Sequence, residues 1–108
     1  MKEAKRAAKM AEYEEEGRIQ VRVSDFTHGL RIYDGVRLVR IKSKDYTLLI
    51  MEDYFPLLGN VLGRVELLTA EGLVDLGSIK GFYLHRDNEF ALLVEEQLEA
   101  GEDGDHGG

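Results

Sequence analysis

Three histidines, His28, His85 and His106, are the side chains of this sequence that could most readily do chemistry. A metal site needs such ligands close to one another or to thiolates, and the chain has no cysteine. Only segment 103–106 places a histidine among acidic residues, and we interpret it as a solvated tail that would bind a divalent ion weakly at most. We therefore expect no bound metal, no disulfide and no thiolate chemistry.

Two other groups could act in catalysis, the adjacent acids Glu52-Asp53 and the serines at positions 24, 43 and 78. The acids come shortly before Pro56, the single proline, where the chain must bend, so we expect them to be solvated. The serines have turn contexts, and none lies in a Gly-x-Ser-x-Gly motif. The glycines are spaced as strand punctuation and form no phosphate-binding loop. These patterns predict a chain that is not an enzyme and has no cofactor and no small-molecule substrate.

A basic stretch between residues 31 and 44 is the next candidate, and in it Arg40 and Lys42 alternate with Val39 and Ile41. A nucleic-acid surface would interleave such charges with exposed aromatic rings, but the nearest tyrosines only flank the stretch. We favour a solvated face that limits edge-to-edge association of strands over nucleic-acid binding. A docking face for an acidic partner is the intermediate alternative.

The composition indicates one small domain. The chain has 108 residues, 44% of them hydrophobic, and a net charge of −7. Residues 17–94 carry ten basic and ten acidic side chains, so the net charge comes from the two ends. No apolar segment is long enough for a transmembrane helix, so we expect no direct membrane insertion. A cytoplasmic location, peripheral to a membrane only through a partner complex, fits the absence of cysteine.

Period-two hydrophobicity dominates the chain from Ile19 to Val94 and predicts an all-β fold. Turn residues recur every 8–12 positions, which is typical of a small antiparallel β-sandwich with about eight to ten short strands. We place this domain at residues 17–95. Residues 1–16 are rich in Ala, Lys and Glu and predict a short helical or disordered leader. Residues 96–108 predict a disordered acidic tail.

Several local features predict where strands begin, end or bend. Segment 48–51 is a short apolar run and reads as a strand buried on both faces. Asp34-Gly35 predicts a tight turn, and a phase shift between Leu38 and Val39 predicts a β-bulge. Asp87-Asn88 predicts a two-residue hairpin turn, because both residue types tolerate positive φ.

The middle of the chain resembles the N-terminal β-sandwich of the epsilon subunit of F-type ATP synthases. That family has an apolar strand, a Pro-Gly-His-Ala-Pro-Leu-Leu turn, then a glycine and another strand. Here Ile50-Met51 ends the strand, Pro56-Leu57-Leu58 matches in place, and Asp53 and Tyr54 stand where the family has glycine and histidine. Further matching steps lie at Val21, Val23 and Ser24, at 33–35, at 80–82 and at 92–94.

The resemblance implies a non-catalytic subunit of the rotating central stalk, which contacts the gamma subunit and the c-ring in proton-driven ATP synthesis. Carried over by position, the c-ring-facing loop is Lys44, Asp45, Tyr46 and Thr47, and the second contact turn is Asp53, Tyr54 and Phe55. The family's two C-terminal regulatory helices do not fit the short tail, so the resemblance is to a short form. An alternative is a free-standing adaptor that has the same domain and serves another complex.

Overall fold

The computed structural model describes residues 17–101 of the chain. The expectations of a helical or disordered leader at 1–16 and of weak ion binding at 103–106 concern residues outside that range. Within it every regular element is a strand, which confirms the all-β prediction. Residues 17–101 accordingly contain no helix suited to crossing a membrane.

Six strands make up the fold: β1 (Ile19–Asp25), β2 (Gly29–Ser43), β3 (Thr47–Met51), β4 (Leu57–Thr69), β5 (Gly72–Arg86) and β6 (Glu89–Glu99). Their hydrogen-bonded order is β1-β6-β5-β4-β2-β3, and β1 also pairs with β2. Five strands therefore close into a barrel, and β3 lies beside the second half of β2. The predicted sandwich of eight to ten short antiparallel strands is corrected accordingly. The pairing of β1 with β6 is parallel.

Long bent strands explain why the predicted number of strands was too high. Gly35 has a φ of 68° and lies inside β2, where the sequence predicted a turn. The first half of β2 pairs with β1 and the second half with β3 and β4, so the strand bends rather than ends. Gly77, with a φ of 88°, likewise lies inside β5, and that strand continues on both sides of it. Glycine allows both a turn and a bulge, and local sequence does not separate the two.

The β-bulge that the sequence predicted in β2 is present but lies slightly earlier. The register between β2 and β4 shifts between Val36 and Leu38, whereas the prediction placed the slip between Leu38 and Val39. The hairpin prediction at Asp87-Asn88 is confirmed, with φ values of 52° and 60°. Pro56 lies in the link between β3 and β4, as expected. The predicted domain end at residue 95 falls inside β6.

The core lies inside the barrel and comes from alternate positions of all six strands. Its buried apolar residues are Ile19, Val21, Val23, Val36, Val39, Ile41, Ile50, Val61, Val65, Leu67, Leu76, Ile79, Tyr83, Phe90, Leu92 and Val94. The prediction that strand 48–51 is buried on both faces is wrong. Ile50 is fully buried, but Leu49 and Met51 are 44% and 55% exposed, because β3 has the core on one side only.

Candidate interaction site

The predicted loop 44–47 connects β2 to β3 and is held against β4 by main-chain hydrogen bonds. The Ser43 N–H donates to the Tyr46 carbonyl at 2.8 Å, and the Lys44 N–H donates to the Leu62 carbonyl at 2.8 Å. The side chains of Lys44 and Asp45 are exposed. The loop therefore presents one cation and one anion from a backbone that is fixed to the barrel.

Tyr46 and Thr47, from the same predicted loop, differ in exposure and in their contacts with the barrel. The Tyr46 hydroxyl hydrogen-bonds the Asn60 carbonyl and lies 2.9 Å from the Tyr83 hydroxyl. Burial and, after it, the hydrogen bond to Tyr46 raise the pKa of Tyr83 well above its ordinary value. The Tyr46 side chain thus connects the loop to the barrel, whereas Thr47 is exposed at the start of β3.

The second predicted turn, 53–55, lies between β3 and β4 and is built around a residue with positive φ. Asp53 has a φ of 62°, in the position where the epsilon family has glycine. Its carboxylate accepts hydrogen bonds from Asn88 at 3.0 Å and from Arg18 at 2.6 Å, and these two partners lower the pKa of Asp53. Tyr54 and Phe55 stack with ring centroids 4.5 Å apart. Phe55 is 65% exposed, so this turn offers an aromatic contact surface.

The structure does not bring the two predicted loops together. Segment 44–47 precedes β3 and segment 53–55 follows it, so they lie at opposite ends of that strand. Five residues of strand span roughly 17 Å. A single small partner element would contact one of these loops but not both.

A large apolar surface on the outside of the barrel was not predicted from the sequence. We call it the apolar face and define it by six side chains that are 47–76% exposed: Leu30, Ile32, Leu58, Phe82, Leu84 and Leu93. They lie on four strands but adjoin one another through strand pairing. Leu58 is opposite Leu84, and Phe82 is opposite Leu93. Exposed apolar patches of this extent mark interaction sites in soluble proteins.

The apolar face contains an open groove of about 390 Å³. Side chains from five strands line it, including Arg22 and Ser24 on β1, which adjoin Ala91 and Leu93 on β6. Every strand that contributes is part of the closed barrel, so the groove has a rigid floor. The arrangement is suited to binding an apolar surface of another molecule.

One feature of the sequence could have revealed this face. Segments 82–84 and 90–94 are apolar in both strand phases, whereas a strand with one wet face alternates with polar residues. In β5, Tyr83 and His85 point inward, and Phe82 and Leu84 point outward. A continuous apolar run in an antiparallel strand therefore indicates a second covered face.

The histidines and acidic residues form no cluster of potential metal ligands in the part of the chain that the structure describes. No group of three or more potential metal ligands occurs among residues 17–101. His85 is fully buried near Phe90, and neither ring nitrogen has a hydrogen-bond partner there. Burial lowers the pKa of His85. His28 lies 3.3 Å from Asp25, which Arg31 also contacts at 3.0 Å.

Two cations of the basic stretch, Arg40 and Lys42, pair with one buried carboxylate. Arg40 lies 2.7 Å from the buried carboxylate of Glu66, and Lys42 lies 3.5 Å from the same oxygen. Glu66 is on the adjacent strand, directly opposite Arg40. Sequence reasoning missed this acid because the pairing of β2 with β4 is long-range. A paired basic row on a sheet face favours the solvated-face interpretation over nucleic-acid binding.

Comparisons with known proteins show likeness in structure but not in sequence. No protein-family model matches the sequence, and no curated protein matches it. A chain in the cryo-EM structure of the Tetrahymena thermophila mitochondrial ATP synthase, from its central stalk and c-ring, has a similar fold with a TM-score of 0.57. The two chains are 15% identical, and the match covers 76% of this chain and 66% of that one, slightly less than two thirds. At that identity the likeness is one of fold.

Proposed function

We propose that this chain is a non-catalytic protein–protein interaction module that resembles the ATP synthase epsilon subunit. In this role it couples a central stalk to a membrane c-ring in proton-driven ATP synthesis, located in the cytoplasm and peripheral to the membrane through its partners. The observation that carries the proposal is the apolar face, because six half-exposed large side chains on a rigid barrel need a protein surface to cover them. The stalk neighbour from Tetrahymena supports the choice of complex.

The surfaces have separate assignments in this proposal. The apolar face binds the stalk, as the gamma subunit would require, and the loop of Lys44, Asp45, Tyr46 and Thr47 faces the c-ring. Asp53, Tyr54 and Phe55, at the other end of β3, make a further contact. Because the loops lie at opposite ends of β3, the module bridges two partner surfaces rather than clasping one.

Co-purification from the native host tests this function. The tagged chain should recover gamma, beta and c subunits, and the double variant Leu84→Glu/Leu93→Glu should lose them. A matched control is Leu73→Glu, since Leu73 is also 47% exposed but lies outside the apolar face. Retention of all partners by the double variant, or absence of ATP synthase subunits from the wild-type complex, contradicts the proposal.

A free-standing adaptor of another complex is the second candidate. Where the epsilon family carries His-Ala, this chain presents the stacked pair Tyr54 and Phe55, so the contact surface of that turn is different. The same purification separates the two functions. A stable set of partners without ATP synthase subunits, still dependent on Leu84 and Leu93, identifies the adaptor.

A further inference from the structure

The apolar face has an unusual composition, because a single charged side chain lies within it. Strand pairing arranges its outer positions in two rows that cross five strands. The first row is Leu58, Leu84, Ala91, Arg22 and Ile32, and the second is Asn60, Phe82, Leu93, Ser24 and Leu30. Arg22 is the one charged residue among these ten positions.

Arg22 is exposed and makes no ion pair or hydrogen bond with another side chain within residues 17–101. It differs in this from Arg31, Arg40 and Arg64, each of which is paired with a carboxylate. A partner that covers the apolar face removes water from the Arg22 guanidinium. A charge that is desolvated without a counter-charge strongly opposes binding, so a partner that fits this face must supply a carboxylate.

The shape of the face indicates the kind of element that fits. The rows do not close into a ring, because segment 30–32 of β2 and segment 58–60 of β4 do not pair with each other within residues 17–101. Five strands spaced about 4.8 Å apart give the rows a length of roughly 19 Å along the sheet, and the two rows together are about 7 Å wide. An α-helix of about 13 residues has that length, and its apolar stripe has a comparable width. The groove of about 390 Å³ follows the same rows and touches side chains of all five strands.

Addition of a partner strand does not suit this surface. The side chains of the two rows project from the outer face of the barrel, and the backbones of β1, β5 and β6 are already paired on both sides. A strand that joins a sheet needs an unpaired backbone edge, which the middle of the apolar face does not offer.

We infer that the apolar face binds an amphipathic α-helix of a partner protein, lying across the strands, whose apolar stripe contains one Asp or Glu that pairs with Arg22. This inference rests on the proposed function, because it identifies the partner element for the same face. It adds an orientation and one ion pair within the interface.

Selection from a displayed library of helix-forming peptides, about 14 residues long and randomised along one face, tests the inference. The probe is the full chain, and the two comparison targets are Arg22→Glu and Arg86→Glu. Wild type should enrich a Leu-, Ile- or Phe-rich stripe that contains one acidic residue. Arg22→Glu should enrich Lys or Arg at that position. Arg86→Glu should give the wild-type result, because Arg86 is exposed beside Asp87 outside the two rows.

The affinity of a selected peptide gives the quantitative check. Changing its acidic residue to the corresponding amide should weaken binding to wild type at least tenfold in fluorescence anisotropy, and should change binding to Arg22→Gln by less than twofold. Far-ultraviolet circular dichroism and urea unfolding of the Arg22 variants confirm that the barrel is intact.

Any of three results overturns the inference: enriched stripes without an acidic residue, peptides that bind Arg22→Glu with the same affinity as wild type, or no helical binder at all. Each of them leaves the proposed function standing, since that depends on co-purification and on the Leu84→Glu/Leu93→Glu variant. Conversely, the wild-type chain could recover no ATP synthase subunits while the selection shows a clear acidic preference. That result rejects the proposed complex and retains the inference of a bound helix.

Discussion

Asn88 and Asp53 hold each other through two reciprocal hydrogen bonds. The Asp53 N–H donates to Asn88 Oδ1 at 2.7 Å, and Asn88 Nδ2 donates to Asp53 Oδ1 at 3.0 Å. Both residues have positive φ, at 62° and 60°. The pair joins the β3–β4 turn to the β5–β6 hairpin, and Arg18 adds a third contact from the start of β1. One end of the barrel is therefore closed by side chains that are 35 residues apart in sequence.

Asn88→Ala should lower the free energy of unfolding by about 2 kcal/mol, measured by urea unfolding. The substitution removes both bonds to Asp53 and leaves a non-glycine residue without a polar side chain at positive φ. Asn88→Gly should cost less, because glycine adopts that φ freely. Asn60→Ala is the control, since the Asn60 side chain makes no hydrogen bond within residues 17–101. Equal stability of the Ala variants at 88 and 60 would refute the closing role of the pair.

Tyr46→Phe should destabilise the barrel by about 1–2 kcal/mol, because it leaves the buried Tyr83 hydroxyl without its partner. Tyr33→Phe should be nearly neutral. Tyr33 also packs on the core, but its hydroxyl has no hydrogen bond within residues 17–101. Thermal unfolding of the two variants gives the comparison. A neutral Tyr46→Phe would mean that Tyr46 is free for partner contact after all.

Stability should fall as the pH is lowered from 7 to 5.5, through the ordinary histidine pKa of 6.5. Burial keeps His85 neutral in the folded chain, whereas the unfolded chain takes up a proton in this range. The free energy of unfolding should therefore decrease on acidification by at most about 1 kcal/mol. Urea unfolding at several pH values measures the slope.

His85→Leu isolates this contribution, because every other titrating group is shared with wild type. The variant should lose the slope between pH 7 and 5.5. It should be at least as stable as wild type at pH 7, since both ring nitrogens of His85 lack hydrogen-bond partners among residues 17–101. An unchanged slope in His85→Leu would show that the buried ring does not govern the acid response.

Leu93→Glu and Leu92→Glu should differ strongly in stability, although the two residues are adjacent. Leu93 is 50% exposed on the apolar face, so the charged variant should fold with a loss of less than about 1 kcal/mol. Leu92 is 2% exposed, and burying a carboxylate there should cost about 4 kcal/mol or more. Circular dichroism during urea unfolding distinguishes them. Similar destabilisation of both would contradict the orientation of β6.

Sequence patterns identified the strands and most turns of this chain because short-range preferences decide them. Period two from Ile19 to Val94 predicted the all-β fold, and Asp87-Asn88 predicted its hairpin from the tolerance of both residues for positive φ. The same reasoning counted too many strands, since Gly35 was interpreted as part of a turn. Whether a glycine ends a strand or bends it depends on whether the chain beyond it finds a partner strand.

The candidate site was less accessible to sequence reasoning than the fold. The epsilon resemblance led to loops 44–47 and 53–55, whose surroundings include Tyr83 and Asn88 from distant strands. The apolar face itself was missed. Phe82, Tyr83 and Leu84 are all aromatic or aliphatic, and the local sequence does not determine which of these side chains faces the core.

Closure of the barrel settles that choice. Once β1 pairs with β6 and β2, the side chains of Tyr83, Phe90 and Leu92 are enclosed, and those of Phe82, Leu84 and Leu93 are left outside beside Arg22. Local residue type specifies extended strands and their turns, because backbone preference acts over a few residues. The interior, the Glu66 partner of Arg40 and the open groove of the apolar face arise from pairings between residues far apart in the chain. Those pairings exist only when the fold is complete.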